Sequence, residues 1–514
     1  MDVDEADPPP PKPPVVNAAK PATTTPPSET FARQSAVVSE PQKLKDAIDA
    51  VGGALRERMK FYKLHYSANA AGQCASFNAD PTNKPEIIAD HNDPHRIDWL
   101  TAKDPNVVVG DNVWRAGDPD EWLVRWPILK GFNASAYTSG SLHEALGDIE
   151  VIWSEVLKSR LNIGRKDYGL YSVMLVVPDI PDQTYIPSML RLLLGSMGFK
   201  QAVIMQESLA ATYGAGLSTA LVVDVGANAT NIACVDEGFV VPDTRISLDV
   251  GGDDITELLI RLLARSQVPW AQTADLARVD DFATAERLKI QLATLAEEHV
   301  ALNLHEFVVR SHGKPAVKCK MKTYEEPALA GMTPFETQGV DYTAKFRTTW
   351  AQFPGASSAI DDGFAEPNDG ITQAMIFSTQ HLAATGMAHI DIPREAAKLP
   401  LDVAIFNSAR AAGPEDKMRR ALTAVLLVGG GLAKIKGVNG ALETRLNAIA
   451  NGRVPGLERV LVVGPTKHVD PRVLCWKGAS VFARMDTVQE FWVSKDEWEM
   501  VGMRGVRERW WFLS

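Results

Sequence analysis

Short apolar runs alternate along the chain with longer segments in which apolar residues recur every three or four positions. The runs are typical of buried strands, and the longer segments are typical of helices with one apolar face. Strands are expected at 171–177, 202–205, 221–223, 229–233, 425–428 and 460–463, and helices at 141–161, 184–198, 206–214, 255–264, 283–295, 401–411, 416–421 and 441–449. This alternation predicts an α/β fold with helices on the faces of its sheets.

Two helical segments carry additional signals. Ser141 is followed three residues later by Glu144, which is the pattern of a capping box at a helix N-terminus. The segment 43–66 mixes apolar and basic residues at helical spacing, but Gly52 and Gly53 interrupt it. It predicts a helix pair or one kinked helix, because glycine weakens a helix interior.

Two other segments lack such periodicity. Residues 1–42 are rich in Pro, Thr and charged residues, with too few apolar side chains to offset the entropy cost of ordering the chain. We expect this tail to be disordered. Residues 311–375 are rich in Gly, Pro, Ser and Thr, which predicts a partly unstructured insertion with strands near 315–321.

The composition limits the class of protein. The chain has 514 residues, 45% hydrophobic and 23% charged, which is typical of a globular protein with two to four domains. The net charge of −11 argues against a nucleic-acid-binding surface over the whole molecule, but leaves room for a local basic patch. No apolar run reaches about 18 residues, so no membrane span is expected.

The cysteines and the first residues indicate the compartment. The four cysteines are far apart and form no CxxC pair, which argues against a disulfide framework or a zinc site and fits the cytosol or nucleus. The N-terminus is acidic and then proline-rich, so no signal peptide is expected. The segment 90–98 holds His91, His95 and three aspartates, but Pro94 breaks any helical face. We favour a polar surface loop there over metal ligation.

Three expected strands lead into glycine turns, at 224–226, 251–252 and 429–431. A strand, an Asp-x-Gly turn and a second strand give the geometry of a phosphate-binding loop. The turn amides point at an anion, and Asp224 can hold a metal-bound water. Taken alone, an ordinary hairpin explains residues 221–233 at least as well. Glycines at 429–431 remove every side chain where a ligand or another backbone segment approaches.

In this order and spacing, with Gln206 shortly before the first, these turns resemble those of the actin and Hsp70-type ATPase fold. Further segments resemble the actin-related protein eight family, a group of actin-like subunits of the INO-eighty chromatin remodeller. They lie at 142–154, 206–214, 428–432, 470–472 and 504–509. The resemblance covers about residues 43–514, apart from the insertion.

The resemblance implies two lobes, each built on a mixed sheet with flanking helices. Residues 105–215 and 456–514 are expected to form the first lobe, and residues 216–455 the second, which carries the insertion at about 311–375. Residues 43–104 are then a family-specific N-terminal segment.

The resemblance also implies a nucleotide site. The second phosphate loop corresponds to residues 224–227, the adenosine loop corresponds to residues 429–431, and three further positions resemble nucleotide contacts. The candidate nucleotide-binding residues are Asp224, Val225, Gly226, Ala227, Gly252, Glu286, Gly429, Gly430, Gly431 and Arg472. ATP or ADP is expected as a structural ligand.

The same comparison argues against catalysis. In the family, two aspartates hold metal-bound waters and a glutamine orients the attacking water. Gln206 matches that glutamine, but the next acidic position after Asp224 is Ala227, whose methyl group cannot accept a hydrogen bond. Ala285 stands where the family has a lysine, and no first phosphate hairpin is recognisable before residue 43. We therefore expect weak or absent hydrolysis, a vestigial Gln206, little support for magnesium, and no metal contact beyond Asp224 acting through a water.

The resemblance implies a nuclear scaffold that does not form filaments. The expected partners are a helix of the remodeller's motor subunit, nuclear actin, actin-related protein four, histones and linker DNA, in DNA repair and transcription. The candidate DNA contacts are Arg56, Arg58, Lys60, Lys63, Arg504, Arg507 and Arg509. Solvated helix faces are the alternative explanation for these cations.

Two other functions remain open. An active actin-like ATPase or cytoskeletal protein is the main alternative, and Ala227 and the unrecognised first hairpin argue against it. A cytosolic chaperone-like ATPase is the third hypothesis. The segments 476–480 and 491–498, which resemble the end of actin itself, argue against that one.

Overall fold

The computed structural model describes residues 18–19, 42–62, 64–101, 106–182, 184–354, 370–383, 390–464 and 469–510. Helices and strands alternate through most of these residues. The α-helices are α1 (Gln42–Phe61), α2 (Ala70–Asn78), α3 (Leu142–Leu161), α4 (Tyr185–Leu190), α5 (Glu207–Ala215), α6 (Gly252–Arg265), α7 (Pro269–Thr273), α8 (Val279–Leu292), α9 (Glu326–Gly331), α10 (Tyr342–Thr349), α11 (Gln373–Ala383), α12 (Ile392–Ala396), α13 (Leu401–Ala411), α14 (Glu415–Leu422), α15 (Val438–Ala450), α16 (Leu474–Phe482) and α17 (Lys495–Arg509).

The strands are shorter than the helices. They are β1 (Ala18–Ala19), β2 (Glu86–Ile88), β3 (Val107–Val108), β4 (Leu123–Val124), β5 (Ser172–Val177), β6 (Gln201–Gln206), β7 (Ala220–Val225), β8 (Thr230–Asp236), β9 (Phe239–Val240), β10 (Ile246–Leu248), β11 (Asn303–Val309), β12 (Ala316–Thr323), β13 (Val425–Val428), β14 (Val462–Val463) and β15 (Val493–Ser494). A π-helix at Arg191–Ser196 continues α4, within the segment expected to be one helix.

Each lobe contains a mixed sheet, which confirms the predicted fold class. In the first lobe the order is β15-β6-β5, with β5 and β6 parallel and β15 antiparallel to β6. In the second lobe the order is β10-β8-β7-β13-β14, with β9 paired to β8. There β7 runs parallel to β13 and antiparallel to β8. The strand β14 pairs with β13 of the second lobe, so the expected lobe boundary before residue 456 lies too early.

The N-terminal segment belongs to the second lobe. Leu44, Ile48, Leu55 and Met59 share one face of α1 and are buried in the main hydrophobic core, and β2 pairs with β12. The helix α1 is continuous through Gly52 and Gly53, so the expected interruption is wrong. Packing against the α9 region outweighs the weak glycine propensity, because tertiary contacts supply most helix stability.

The segment 311–354 is more ordered than its composition predicts. The expected strand near 315–321 is confirmed as β12, but α9 and α10 follow it. The buried apolar residues in this stretch are Ala316, Met321, Tyr324, Ala328, Leu329, Ala330, Met332, Phe335 and Phe353. Their burial offsets the entropy of ordering a Gly- and Thr-rich chain. Residues 355–369 of the predicted insertion lie outside the described residues.

Two local expectations also differ from the structure. Ala18 and Ala19 lie in the tail that was expected to be disordered, yet they form β1 because β3 and β4 both offer antiparallel edges to them. The remaining residues of 1–41 lie outside the described part of the chain. Ser141 occupies the N-cap position of α3, but its side chain makes no capping hydrogen bond. The predicted capping box is therefore wrong.

Candidate nucleotide site

The three glycine turns meet at one place, as the sequence predicts. The parallel register pairs Val428 with Asp224, so the turns that follow β7 and β13 lie side by side. The Gly431 amide donates to the Val225 carbonyl at 3.1 Å. The Gly252 amide donates to the Gly226 carbonyl at 2.9 Å, and this bond attaches the third turn to the other two.

The contacts between these turns leave no room for side chains. Gly429 has a φ of +89°, and a Cβ atom there would overlap the Val225 carbonyl oxygen. A Cβ atom on residue 431 would lie 2.6 Å from the Gly226 oxygen, and one on residue 252 would lie 2.8 Å from the Gly431 Cα. Glycine is therefore required by close backbone approach, not only by turn propensity.

A cavity of about 400 Å³ opens between the two lobes beside these turns. Its wall includes both phosphate-loop and first-lobe residues. The lining residues are Trp114, Trp126, Ile128, Leu129, Lys130, Pro178, Tyr185, Glu207, Asp224, Gly226, Ala227, Asn228, Ala229, Asn231, Asp253, Phe282 and Glu286. The predicted residues Asp224, Gly226, Ala227 and Glu286 thus share one cavity, whereas Val225 is buried in the second-lobe core. A cleft of this size, lined by apolar side chains together with a few polar ones, can hold a nucleotide.

Arg472 lies at the adenosine loop, with its Cγ and Cδ 3.0 Å from the position of a Cβ on Gly430. Its guanidinium pairs with Asp470 at 2.8 Å, and Lys434 pairs with the same carboxylate at 2.8 Å. These two cations hold the pKa of Asp470 well below its usual range. Arg472 is therefore placed beside the glycine loop in an orientation fixed by Asp470.

Gln206, the predicted vestigial catalytic residue, is buried at the end of β6. It is not among the described residues that line the cavity, and the residue that lines it from this position is the neighbouring Glu207. An acidic residue directly after Gln206, at the start of a helix, was the available sequence signal, and our sequence interpretation missed it.

The carboxyl groups of Asp179, Glu207 and Asp224 lie near one another at the phosphate loop. Burial raises the pKa of Asp179 to about 6, and it raises the pKa of Asp224 and Glu207 as well. Asp179 accepts hydrogen bonds from the Ser208 hydroxyl and amide. Asp224 accepts from the Cys475 thiol at 3.6 Å. Burial therefore favours the protonated form of these three carboxyl groups when no cation is bound.

A buried ion pair joins the two lobes at the cavity. The Lys130 ammonium donates to Asp249 at 2.7 Å and lies 4.7 Å from the centre of the Trp350 ring. Asp249 is fully buried and also accepts from Thr349 and from the Trp350 indole. Burial lowers the pKa of Lys130. The sequence interpretation identified neither Lys130 nor Asp249, because their partners lie more than 100 residues away along the chain.

The segment expected to be an unstructured insertion therefore borders this site. Helix α10 brings Thr349 and Trp350 onto Asp249, and its Lys345 pairs with Asp254 at the start of α6. Within the described residues, no N-terminal hairpin joins the first-lobe sheet. First-lobe side chains from 114–130 line the cavity instead.

The predicted DNA-contact residues mostly make intramolecular ion pairs. Arg56 makes two hydrogen bonds to Glu325, at 2.6 and 2.9 Å, and Arg58 pairs with Glu297 at 2.9 Å. Lys60 pairs with Glu57 at 2.7 Å, and Arg509 pairs with Glu497 at 2.7 Å. Arg504 and Arg507 lie in α17, and Lys63 lies outside the described residues. Contact of any of these residues with DNA stays a prediction.

Two sequence expectations concern a direct metal site and a membrane span. No group of three or more His, Cys, Asp or Glu side chains is arranged there to hold a metal directly. In the segment 90–98, Asp93 instead binds the Arg310 guanidinium through two bonds of 2.7 Å. Among the described helices, none has both the length and the apolar character needed to cross a bilayer.

The chain is similar in sequence to actin and to actin-related proteins. The family model for actin matches residues 144–510. Probable actin-related protein 8 of Schizosaccharomyces pombe is 30% identical over 468 residues, which cover 83% of this chain and 70% of that protein. Actin-related protein 8 of Homo sapiens is 29% identical over 469 residues, which cover 80% of this chain and 74% of that protein.

A solved structure gives a comparison in three dimensions. It is described as human actin-related protein Arp8 in its ATP-bound state, and it is 26% identical in sequence. It matches this structure with a TM-score of 0.76, covering 96% of this chain and 90% of that chain. The matched region therefore includes both lobes and the cleft between them.

Proposed function

Because the chain belongs to the actin family, and within it to the actin-related protein 8 group, we propose that it is a nuclear scaffold subunit of a chromatin remodeller. It binds ATP or ADP as a structural ligand and hydrolyses it slowly or not at all. The observation that carries this proposal is the meeting of the three glycine turns at 224–226, 251–252 and 429–431, which we call the cradle. In its phosphate loop, Ala227 stands in place of a second acid. The cradle supports binding, while the substitution argues against turnover.

The three turns support nucleotide binding because backbone hydrogen bonds join them beside the cavity that Asp224, Gly226 and Ala227 line. The similar human structure is described as ATP-bound, which supports the same ligand here. Bound nucleotide contacts both lobes and stabilises the folded state by mass action.

Slow hydrolysis follows from the groups that face the phosphate side. The methyl side chain of Ala227 cannot accept a hydrogen bond from a metal-bound water, and Gln206 is not among the described residues that line the cavity. Loss of one positioned polar group at a reacting centre costs about 10²–10³ in rate. The two differences together leave a site that can retain a nucleotide without using it.

We expect native protein to contain about one adenine nucleotide per chain, measured by mass spectrometry of the released ligand. Gly431→Ala should lose it, because the new methyl group must displace the Gly226 carbonyl 2.6 Å away. Gly440→Ala is the matched control, since a Cβ there meets nothing within 4 Å. Rapid phosphate release from added ATP would refute the scaffold interpretation and favour the active ATPase.

An exposed apolar surface on α16 supports the proposed contact with a helix of the motor subunit. Trp476 is 71% exposed, and Val473, three residues earlier, is 44% exposed. Exposed aromatic and aliphatic side chains in such an arrangement are typical of protein-binding surfaces. The same assembly is proposed to hold nuclear actin and actin-related protein four.

We expect Trp476→Ala to weaken co-purification of the chain with the motor subunit by tenfold or more, because aromatic residues dominate helix-in-groove interfaces. Val156→Ala, on the exposed side of α3, is the control for removal of an exposed apolar side chain. Unchanged recovery of the motor subunit, actin and actin-related protein four with the Trp476 variant would reject this surface.

Histones and linker DNA complete the proposed set of partners. The local basic residues of α1 and α17 support a DNA contact, but the ion pairs of Arg56, Arg58, Lys60 and Arg509 neutralise much of their charge. DNA binding is therefore proposed for the assembled complex, in which basic surfaces of several subunits act together. Its strength should fall steeply with salt.

A further inference from the structure

One buried carboxylate oxygen in the cleft lacks a hydrogen-bond partner. The Oε1 atom of Glu207 is shielded from solvent, and no donor among the described residues reaches it. Glu207 is the first residue of α5 and lines the cavity between the lobes. A buried acceptor without a partner is costly, and a bound ion or water commonly satisfies such a group.

The neighbouring groups satisfy these carboxyl groups only in part: burial raises the pKa of Glu207, and a hydrogen bond from the Asn231 side chain offsets some of that effect. Asp179 is satisfied by Ser208, and the charge of Arg245 lowers its pKa. Asp224 has only the weakly donating thiol of Cys475, at 3.6 Å. Glu207 and Asp224 therefore both line one cavity, and the Oε1 atom of Glu207 remains without a donor among the described residues.

We propose that Glu207 and Asp224 together hold the hydrated divalent cation that accompanies the bound nucleotide. Glu207, not the position of Ala227, would then supply the second acidic group. This inference rests on the proposed nucleotide binding. It differs from the sequence expectation, which gave magnesium little support because Ala227 replaces an acid.

The chemistry of the cation fits this arrangement. Mg²⁺ keeps several waters in proteins and is usually bound through one or two carboxylates together with the phosphates of its nucleotide. Two carboxylates without a third ligand suit such a site, and the described residues contain no cluster of three or more direct ligands. Glu207 begins a first-lobe helix and Asp224 ends a second-lobe strand, so the cation would connect the lobes.

The test uses the full chain loaded with ATP and measures binding of Mn²⁺ from the loss of its free-ion electron paramagnetic resonance signal. We expect about one bound Mn²⁺ per chain. Glu207→Gln should raise the Kd by about 10- to 100-fold, which is the usual cost of losing a group that orients metal ligands. Asp224→Asn should have a similar effect, while exposed Glu237→Gln should have none.

Three further measurements distinguish loss of the cation site from loss of the nucleotide. Nucleotide content is measured on the same samples, so that bound Mn²⁺ is expressed per bound nucleotide in each variant. Ala227→Asp placed in the Glu207→Gln chain should restore Mn²⁺ binding by returning an acid to the phosphate loop. Addition of Mn²⁺ should raise the Tm of the ATP-loaded wild type more than that of Glu207→Gln.

Equal Mn²⁺ affinity in wild type and Glu207→Gln, at equal nucleotide content, would overturn this inference and leave the proposed nucleotide binding intact. A wild-type chain that retains no nucleotide would overturn both. If Glu207→Gln does not fold, the Mn²⁺ affinity of Asp224→Asn is compared with that of Glu237→Gln instead. Equal affinities at equal nucleotide content would again overturn this inference.

Discussion

Gly478→Ala should destabilise the protein by about 3 kcal/mol or more, which is the upper part of the range for overpacking a core. Gly478 lies where α16 crosses α5 without side chains between the two backbones. A Cβ on residue 478 would overlap the Ala210 carbonyl oxygen and lie 2.6 Å from the Gly214 amide nitrogen. The clash is with backbone atoms of α5, so a rotamer change cannot relieve it.

Chemical denaturation of wild type and variant measures this loss. Gly440→Ala is the matched control, because residue 440 also lies in a helix and a methyl group there meets nothing within 4 Å. Alanine should stabilise that position by about 0.5–1 kcal/mol through its better helix propensity. Equal unfolding free energies for the two variants would mean that the helices separate easily at this crossing.

Lys130→Met should cost about 3 kcal/mol, the lower end of the range for removing one partner of a buried ion pair. The variant leaves the fully buried Asp249 without its cation. Only the hydrogen bonds from Thr349 and Trp350 then remain for that carboxylate. The cleft should also open more readily, since the pair joins first-lobe residue 130 to the second lobe.

A double-mutant cycle separates the lost charge from lost packing. Asp249→Asn retains an acceptor for Thr349 and Trp350, so Lys130→Met combined with Asp249→Asn should recover most of the stability. Lys60→Met is the control, because Lys60 pairs with Glu57 on the surface and its loss should not change the denaturation midpoint measurably. Additive effects of the Lys130 and Asp249 substitutions would show that the pair contributes no coupling.

The glycine turns could be predicted because their constraint is local in sequence and specific in chemistry. A strand followed by glycine predicts a turn, and three such turns in this order resemble those of the actin and Hsp70-type ATPase fold. The register between Val428 and Asp224 then follows from parallel pairing of the two strands. This is why the predicted phosphate and adenosine loops come together in the structure.

The missed features depend on contacts between distant parts of the chain. Nothing near Gly52 indicates that Leu329 and Glu325 will pack beside it and keep α1 continuous. The composition of 311–354 gives no sign that Trp350 will reach Asp249. Gln206 and Glu207 are neighbours in sequence, but of these two described residues only Glu207 lines the cavity. The sequence does not show this difference, because it depends on how the two lobes pack.

The packing of α1 has a consequence for synthesis of the protein on the ribosome. Arg56 meets Glu325, which is 269 residues further along the chain, and the apolar face of α1 packs into the same core. At about 5–20 residues per second, roughly 15–50 s pass before that partner is translated. During this interval the part of the native core that α1 meets around Glu325 and Leu329 is not yet available to Leu44, Ile48, Leu55 and Met59. We therefore expect ribosome-associated chaperones to bind the apolar face of α1 in the nascent chain.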